Sequence, residues 1–257
     1  MSSTAQASTF YIGWDVGGWN CDKNGKSRDA LVILDAGLNI FGKPWRGNLR
    51  SAINEATDST DWITRLFALC SPAPPHQPKI TLAIDTPLGF SDAFVRLVTQ
   101  RHHAGEMGRS DTNPYLFRQT ERFLFEQGLK PLSAIKDMIG SQATKGMHVL
   151  AKFAPQTLRC GVWSDDNRLT AIEAYPSACK ASVTIKSLQQ PFDKLKYNDL
   201  KHDDLYDALT CALLGYLFDT HPDKLISPGA SVPASEGWIW VPRDGISENN
   251  ETIGATT

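Results

Sequence analysis

The apolar positions of this chain follow two periods, and the switching between them predicts strands and helices in mixed order. Residues 10–14 form a short apolar run that ends in Asp15 and the pair Gly17-Gly18, the pattern of a buried strand entering a tight turn. Residues 31–35 are apolar and β-branched, 36–39 carry turn chemistry, and 40–45 resume the run. Connections this short predict an antiparallel meander of three strands. Ser59 or Asp61 is placed to cap a helix on which Trp62, Ile63, Leu66, Phe67 and Leu69 recur at helical spacing, and the Pro-rich stretch 71–78 ends it. Residues 80–84 then return to a buried strand, and a crossover through a helix adds such a strand parallel to the first.

From 91 to 154 the pattern is helical but interrupted, with basic and aromatic residues mixed, and reads as an inserted helical cap. Residues 158–163 and 169–174 predict two further strands around the turn 164–167, and Tyr175-Pro176-Ser177 opens another helical stretch. Asp203 or Asp204 begins a helix reaching Phe218. Its stripe of Leu205, Ala208, Leu209, Ala212, Leu213 and Leu217 predicts deep burial. Residues 238–241 supply a last strand. The polar ends 1–9 and 245–257 read as disordered, leaving 10–244 as one α/β domain with 91–154 inserted.

Composition narrows the class more than the function. The 257 residues are 41% hydrophobic and 21% charged, as in an ordinary globular enzyme. A formal charge of -2 provides no global positive field to draw the chain onto nucleic acid, so any basic surface must be local. No apolar run approaches the roughly 20 residues of a membrane span, and the polar start lacks a signal-peptide core. The expectation is a cytoplasmic protein without a membrane partner. Five cysteines, odd in number and without a CxxC pair, indicate neither a disulfide framework nor a zinc site.

Chemistry is concentrated in carboxylates. Asp15 and Asp85 end apolar strands, and Asp204 and Asp207 lie three residues apart on one face at a helix start. Each, taken alone, reads as a turn or helix cap. Burying several together is costly unless a cation neutralises them, so their convergence implies a divalent metal site, and oxygen ligands suit Mg²⁺ or Mn²⁺. Asp204 stays open to either role. Arg118 and Glu121, read alone, make a surface pair worth under about 1 kcal/mol.

The blocks Gly13-Trp-Asp-Val-Gly17, Ala83-Ile-Asp-Thr-Pro-Leu-Gly89, Arg118-Gln-Thr-Glu121, Glu173-Ala-Tyr-Pro176, Asp204-Leu-Tyr-Asp-Ala208 and Glu236-Gly-Trp-Ile239 cover most of residues 10 to 242. In this order they resemble a family of predicted ribonuclease H-like nucleases of unknown function, related to RuvC-type resolvases. The resemblance implies a mixed sheet flanked by helices, with a helical insertion, and hydrolysis of DNA or RNA phosphodiesters. It implies that Asp15, Asp85, Asp204 and Asp207 are the catalytic acids, with Asp at the second position where resolvases carry Glu. These four would ligate two Mg²⁺ or Mn²⁺ ions, Asp15 bridging them, and Glu173 would compensate for the shorter reach of Asp85. Arg118, with Arg109 and Arg122 along the insertion, would contact substrate phosphates.

Two other functions compete. Residues 13–18 also resemble the first phosphate loop of actin-like ATPases and sugar kinases, which implies an ATP-dependent phosphotransferase. Against it stand a single strand set, no second Asp-x-Gly loop, and acids at 204–207 where a Gly-rich adenosine loop would be wanted. The third reading is a nucleic-acid-binding scaffold that kept the fold and lost activity.

Overall fold

The computed structural model describes residues 8–71, 76–109, 112–195 and 198–246. Most of the two ends expected to be disordered lies outside the described residues. Of the rest, Thr9 already opens the first strand, and Gly245 closes a 3-10 turn over Arg243–Gly245.

Strand β1 (Thr9–Asp15) is flanked on one side by β2 (Asp29–Asp35), antiparallel, and β2 by β3 (Trp45–Gly47). Helices α1 (Arg50–Glu55) and α2 (Ser59–Cys70) cross to β4 (Lys79–Asp85), which lies parallel to β1 on its other side. The insertion contributes α3 (Asp92–Gln100), α4 (Gln119–Glu126) and α5 (Gly140–Phe153). The chain then adds β5 (Gln156–Arg159), β6 (Val162–Ser164) and β7 (Leu169–Ala174), with β7 parallel to β4. After α6 (Val183–Gln189) and α7 (Asp203–Thr220), β8 (Ile239–Trp240) pairs parallel with the end of β7. The result is a mixed eight-stranded sheet in the order β3-β2-β1-β4-β7-β6-β5, flanked by helices, with β8 off this path.

Strand alternation assigns each face its layer. Phe10, Ile12, Trp14, Leu82 and Ile84 pack against α1, α2 and α5, where the Trp62 and Phe153 rings stack at 5.1 Å. Tyr11, Val32, Ala83 and Ile172 face α7. Helix α7 is buried continuously from Ala208 to Gly215, so it is covered on all sides rather than along one stripe. Among the described residues no helix is long and apolar enough to cross a membrane.

The structure shifts several expected boundaries. Asp58, not Ser59 or Asp61, caps α2, its side chain accepting the Asp61 N–H at 2.8 Å. The third strand starts at Trp45, and Ile40 forms only a lone bridge to Leu34. The strand expected at 158–163 is two, β5 and β6, because the chain reverses at Gly161, whose φ of 71° favours glycine. The insertion is narrower than expected, since Val149, Leu150 and Phe153 make α5 part of the core.

Candidate functional site

Asp15 and Asp85 are register partners at the C-terminal ends of β1 and β4, so their Cα atoms sit one interstrand spacing apart, about 4.8 Å. Alternation turns both toward α7, as it does Gly13 and Ala83. A Cβ on Gly13 would lie 1.8 Å from the Ala208 carbonyl oxygen and 2.4 Å from the Ala212 nitrogen. This glycine therefore lets α7 touch the backbone of β1, and the contact seats Asp207, the residue before Ala208, beside the strand-end pair.

The electrostatics of the three acids agree. Burial raises the Asp15 carboxyl well above the usual range, and Asp85, Asp204, Asp207 and Asp29 push it further. Asp85 is raised likewise by burial, then by Asp207 and Glu173. Asp207 is pushed up to about 6 by burial, with Lys180 opposing and Asp203 and Asp204 adding to the rise. No hydrogen bond or ion pair from a described residue reaches any of these three carboxylates. Three neighbouring acids without an internal donor favour protonation or a nearby cation. Among the described residues no three His, Cys, Asp or Glu side chains enclose a metal position by themselves. That is compatible with Mg²⁺, which takes one or two carboxylates and completes its shell with water and substrate phosphate oxygens. Carboxylate oxygens without an internal donor, as on Asp15, Asp85 and Asp207, are the ligand type such an ion takes.

Asp204 lies close by but is already engaged. Its Oδ2 accepts the Arg28 N–H at 3.0 Å and Arg46 Nε at 2.8 Å, tying the start of α7 to β3 and the residue before β2. It caps nothing itself; His202 is the N-cap, its Nδ1 accepting the Asp204 N–H at 3.2 Å. Asp204 thus adds negative charge beside Asp15 from a fixed post.

Glu173 and Arg118 occupy different places from those expected. Glu173 falls on the alternate β7 position, opposite Ile84 in register, and so faces the sheet side away from α7. Its carboxylate is taken by Arg118, with Nη2 at 2.6 Å and Nη1 at 2.8 Å, and by the Leu88 N–H at 3.0 Å. A carboxylate clamped by a bidentate guanidinium has little left for a metal. Arg118 is 2% exposed, not a surface residue, and also donates Nε to Glu121 at 2.9 Å and Nη1 to the Glu236 carbonyl at 3.0 Å. Glu236 in turn accepts the Asp92 and Gln119 N–H groups at 2.9 and 2.7 Å. Four of the sequence blocks therefore meet in one buried polar hub that fastens the insertion to β7. No donor of Arg118 is left to reach a phosphate. Arg109 is exposed in a loop, and the Nε of Arg122 is buried without a partner. Neither lines the cleft described next.

The cleft, about 380 Å³, opens above the carboxyl ends of β1, β4 and β7, where open α/β sheets bind ligands. Asp15, Asp85 and Glu173 line it, together with Lys130, Pro131 and Leu132 from the insertion, Gln142 from α5, and Tyr175 after β7. Thr86 also lines it, and its Oγ1 is buried without any hydrogen-bond partner. Sequence reading missed Thr86 and Lys130, which no periodicity distinguishes. It also missed Asp29 and Lys145, a fully buried ion pair. Asp29 accepts Trp14 Nε1 at 3.1 Å and the Gly17 and Leu49 N–H groups at 2.9 and 2.7 Å, while Lys145 Nζ donates to the Gly17 carbonyl at 3.2 Å. The pair fixes the turn after Asp15, and it spends inward the Gly17 N–H that a phosphate-cradling loop would turn to its ligand. An acid opening a strand, Asp29, and a lysine mid-helix were the only sequence signals.

No protein-family model, curated protein or solved structure matches this chain.

Proposed function

We propose that this chain is a ribonuclease H-like nuclease that uses Mg²⁺ or Mn²⁺ to hydrolyse phosphodiester bonds of DNA or RNA. The observation that carries the reading is the set of three carboxylates, Asp15, Asp85 and Asp207, which raise one another's proton affinity without an internal donor, two of them, Asp15 and Asp85, lining a cleft. The strand order supports the fold assignment, with β2 antiparallel to β1 and β4 and β7 parallel to it. The order of sequence blocks supports the family resemblance.

In this reading Asp15, Asp85 and Asp207 would hold the metal, with Asp204 reinforcing the field from its ion pair with Arg46. Bound there, such ions would supply Lewis acidity for phosphodiester hydrolysis. The chain supplies the rest. Gly13 sets the approach of α7, the Asp29–Lys145 pair holds the turn after Asp15, and Glu173 holds the Leu88 N–H beyond Asp85. Lys130 is the one basic residue among those lining the cleft, and in this reading it would meet substrate phosphate.

Purified protein should cleave members of a panel of DNA and RNA substrates with Mn²⁺ or Mg²⁺ and not with EDTA. Asp15→Asn and Asp207→Asn should each lower the rate by at least about 10²-fold, the scale of losing a transition-state electrostatic contact, with unchanged circular dichroism. ATP-dependent phosphotransfer with no cleavage would move the assignment to the kinase-like reading, and inactivity in both assays would leave the scaffold.

A further inference from the structure

The walls of the cleft bear on the form of its substrate. At about 380 Å³ it sits near the lower end of small-ligand pockets, roughly 300–1,000 Å³, and is sized for a single nucleotide unit. Duplex binding draws on rows of Lys and Arg against successive phosphates, and here Lys130 is the single cation among the lining residues. The wall it belongs to is held in place: Tyr175 Oη donates to the Lys130 carbonyl at 2.9 Å, pinning residues 130–132 to the end of β7. Next to Lys130, Leu132 is 54% exposed, an apolar side chain left open at the rim. On the floor, Thr86 is 5% exposed with an unpartnered Oγ1, although the great majority of buried hydroxyls are hydrogen-bonded. A Cβ on Gly146 would come within 2.6 Å of the Thr86 Cγ2, so the methyl packs closely on α5 and the side chain is held on that side.

We propose that the cleft takes one unpaired nucleotide of a single strand, its phosphate meeting the Thr86 hydroxyl and the Lys130 ammonium and its base lying against Leu132 at the rim. A nucleotide paired in a duplex would have to leave its stack to reach the floor; one in a single strand is already free to do so. This inference rests on the nuclease reading above, and it assigns the substrate class that reading leaves open.

The test is fluorescence anisotropy of the full chain with Mn²⁺, using a labelled phosphorothioate single strand of about twelve nucleotides and the same strand in a blunt duplex. The single strand should bind at least about tenfold more tightly, and a nucleoside 5′-monophosphate should compete for it. Thr86→Val, which keeps the shape and removes the hydroxyl, should weaken the monophosphate about tenfold while leaving the thermal midpoint unchanged or higher, since the hydroxyl has no internal partner to lose. Equal affinity for the duplex, or unchanged affinity in Thr86→Val, overturns the single-nucleotide subsite. Thermal stabilisation by Mn²⁺ is read separately. If it persists while neither nucleic acid binds, the metal site stands and the nucleotide inference falls; if it too is absent, both fall.

Discussion

Gly13 and Asp85 show how much single positions carry. Replacing Gly13 by alanine places a methyl group inside the van der Waals shell of the Ala208 carbonyl, and neither backbone can yield without moving α7 off the sheet. Gly13→Ala should cost about 3 kcal/mol, the upper end of ordinary overpacking, in a urea titration. A variant as stable as the wild type would mean that α7 slides without penalty. Asp85→Asn removes a charge from among acids that have no donor, so the metal-free variant should melt several degrees higher at neutral pH and gain nothing from Mn²⁺. The sequence displays Asp85 plainly, as the acid ending an apolar run. Thr86 beside it was not legible, because a threonine earns notice only when its hydroxyl is seen to be buried and alone.

Among the elements, the polar hub explains why Arg118 was misread. Its local partner Glu121, three residues away on α4, gives the spacing of an exposed pair, and nothing in that spacing announces Glu173, 55 residues further on. Burial changes the arithmetic, since a guanidinium removed from between Glu121 and Glu173 leaves two carboxylates in a dry site. Arg118→Met should therefore destabilise the protein by about 3–5 kcal/mol in chemical denaturation, far beyond a surface pair. Arg118→Lys should recover little of the loss, because a point charge cannot replace the fork that grips Glu173. A loss under about 1 kcal/mol for Arg118→Met would return Arg118 to the surface role. The same contrast holds for the other elements. The periods for β1, β2, β4, β7 and α7 are written in their own apolar residues and were legible. The break at Gly161 and the short β3 depend on what packs across them, and were not.

For the molecule as a whole, the acid cluster makes stability a function of pH, with a sign opposite to that of most carboxylates. Asp15, Asp85 and Asp207 all bind protons more tightly in the folded chain than in the unfolded one. Stability from such groups is fully present below the unfolded value, near 3.8, and is lost as pH rises through the folded one. For Asp207 the window runs from 3.8 to about 6, and at 1.36 kcal/mol per pH unit the loss is up to about 3 kcal/mol, reduced by its partial solvent access. Asp15 and Asp85 extend the decline to higher pH. Held in EDTA, the protein should lose thermal stability as pH rises from about 4 through neutrality, where proteins whose carboxylates are paired gain it. A cation bound among these acids would remove the reason for the rise, so on the nuclease reading Mn²⁺ should flatten the slope and raise the midpoint most at high pH. An EDTA profile that climbs through this range would mean that the three carboxylates find partners of their own in solution, and the metal reading would lose its physical basis.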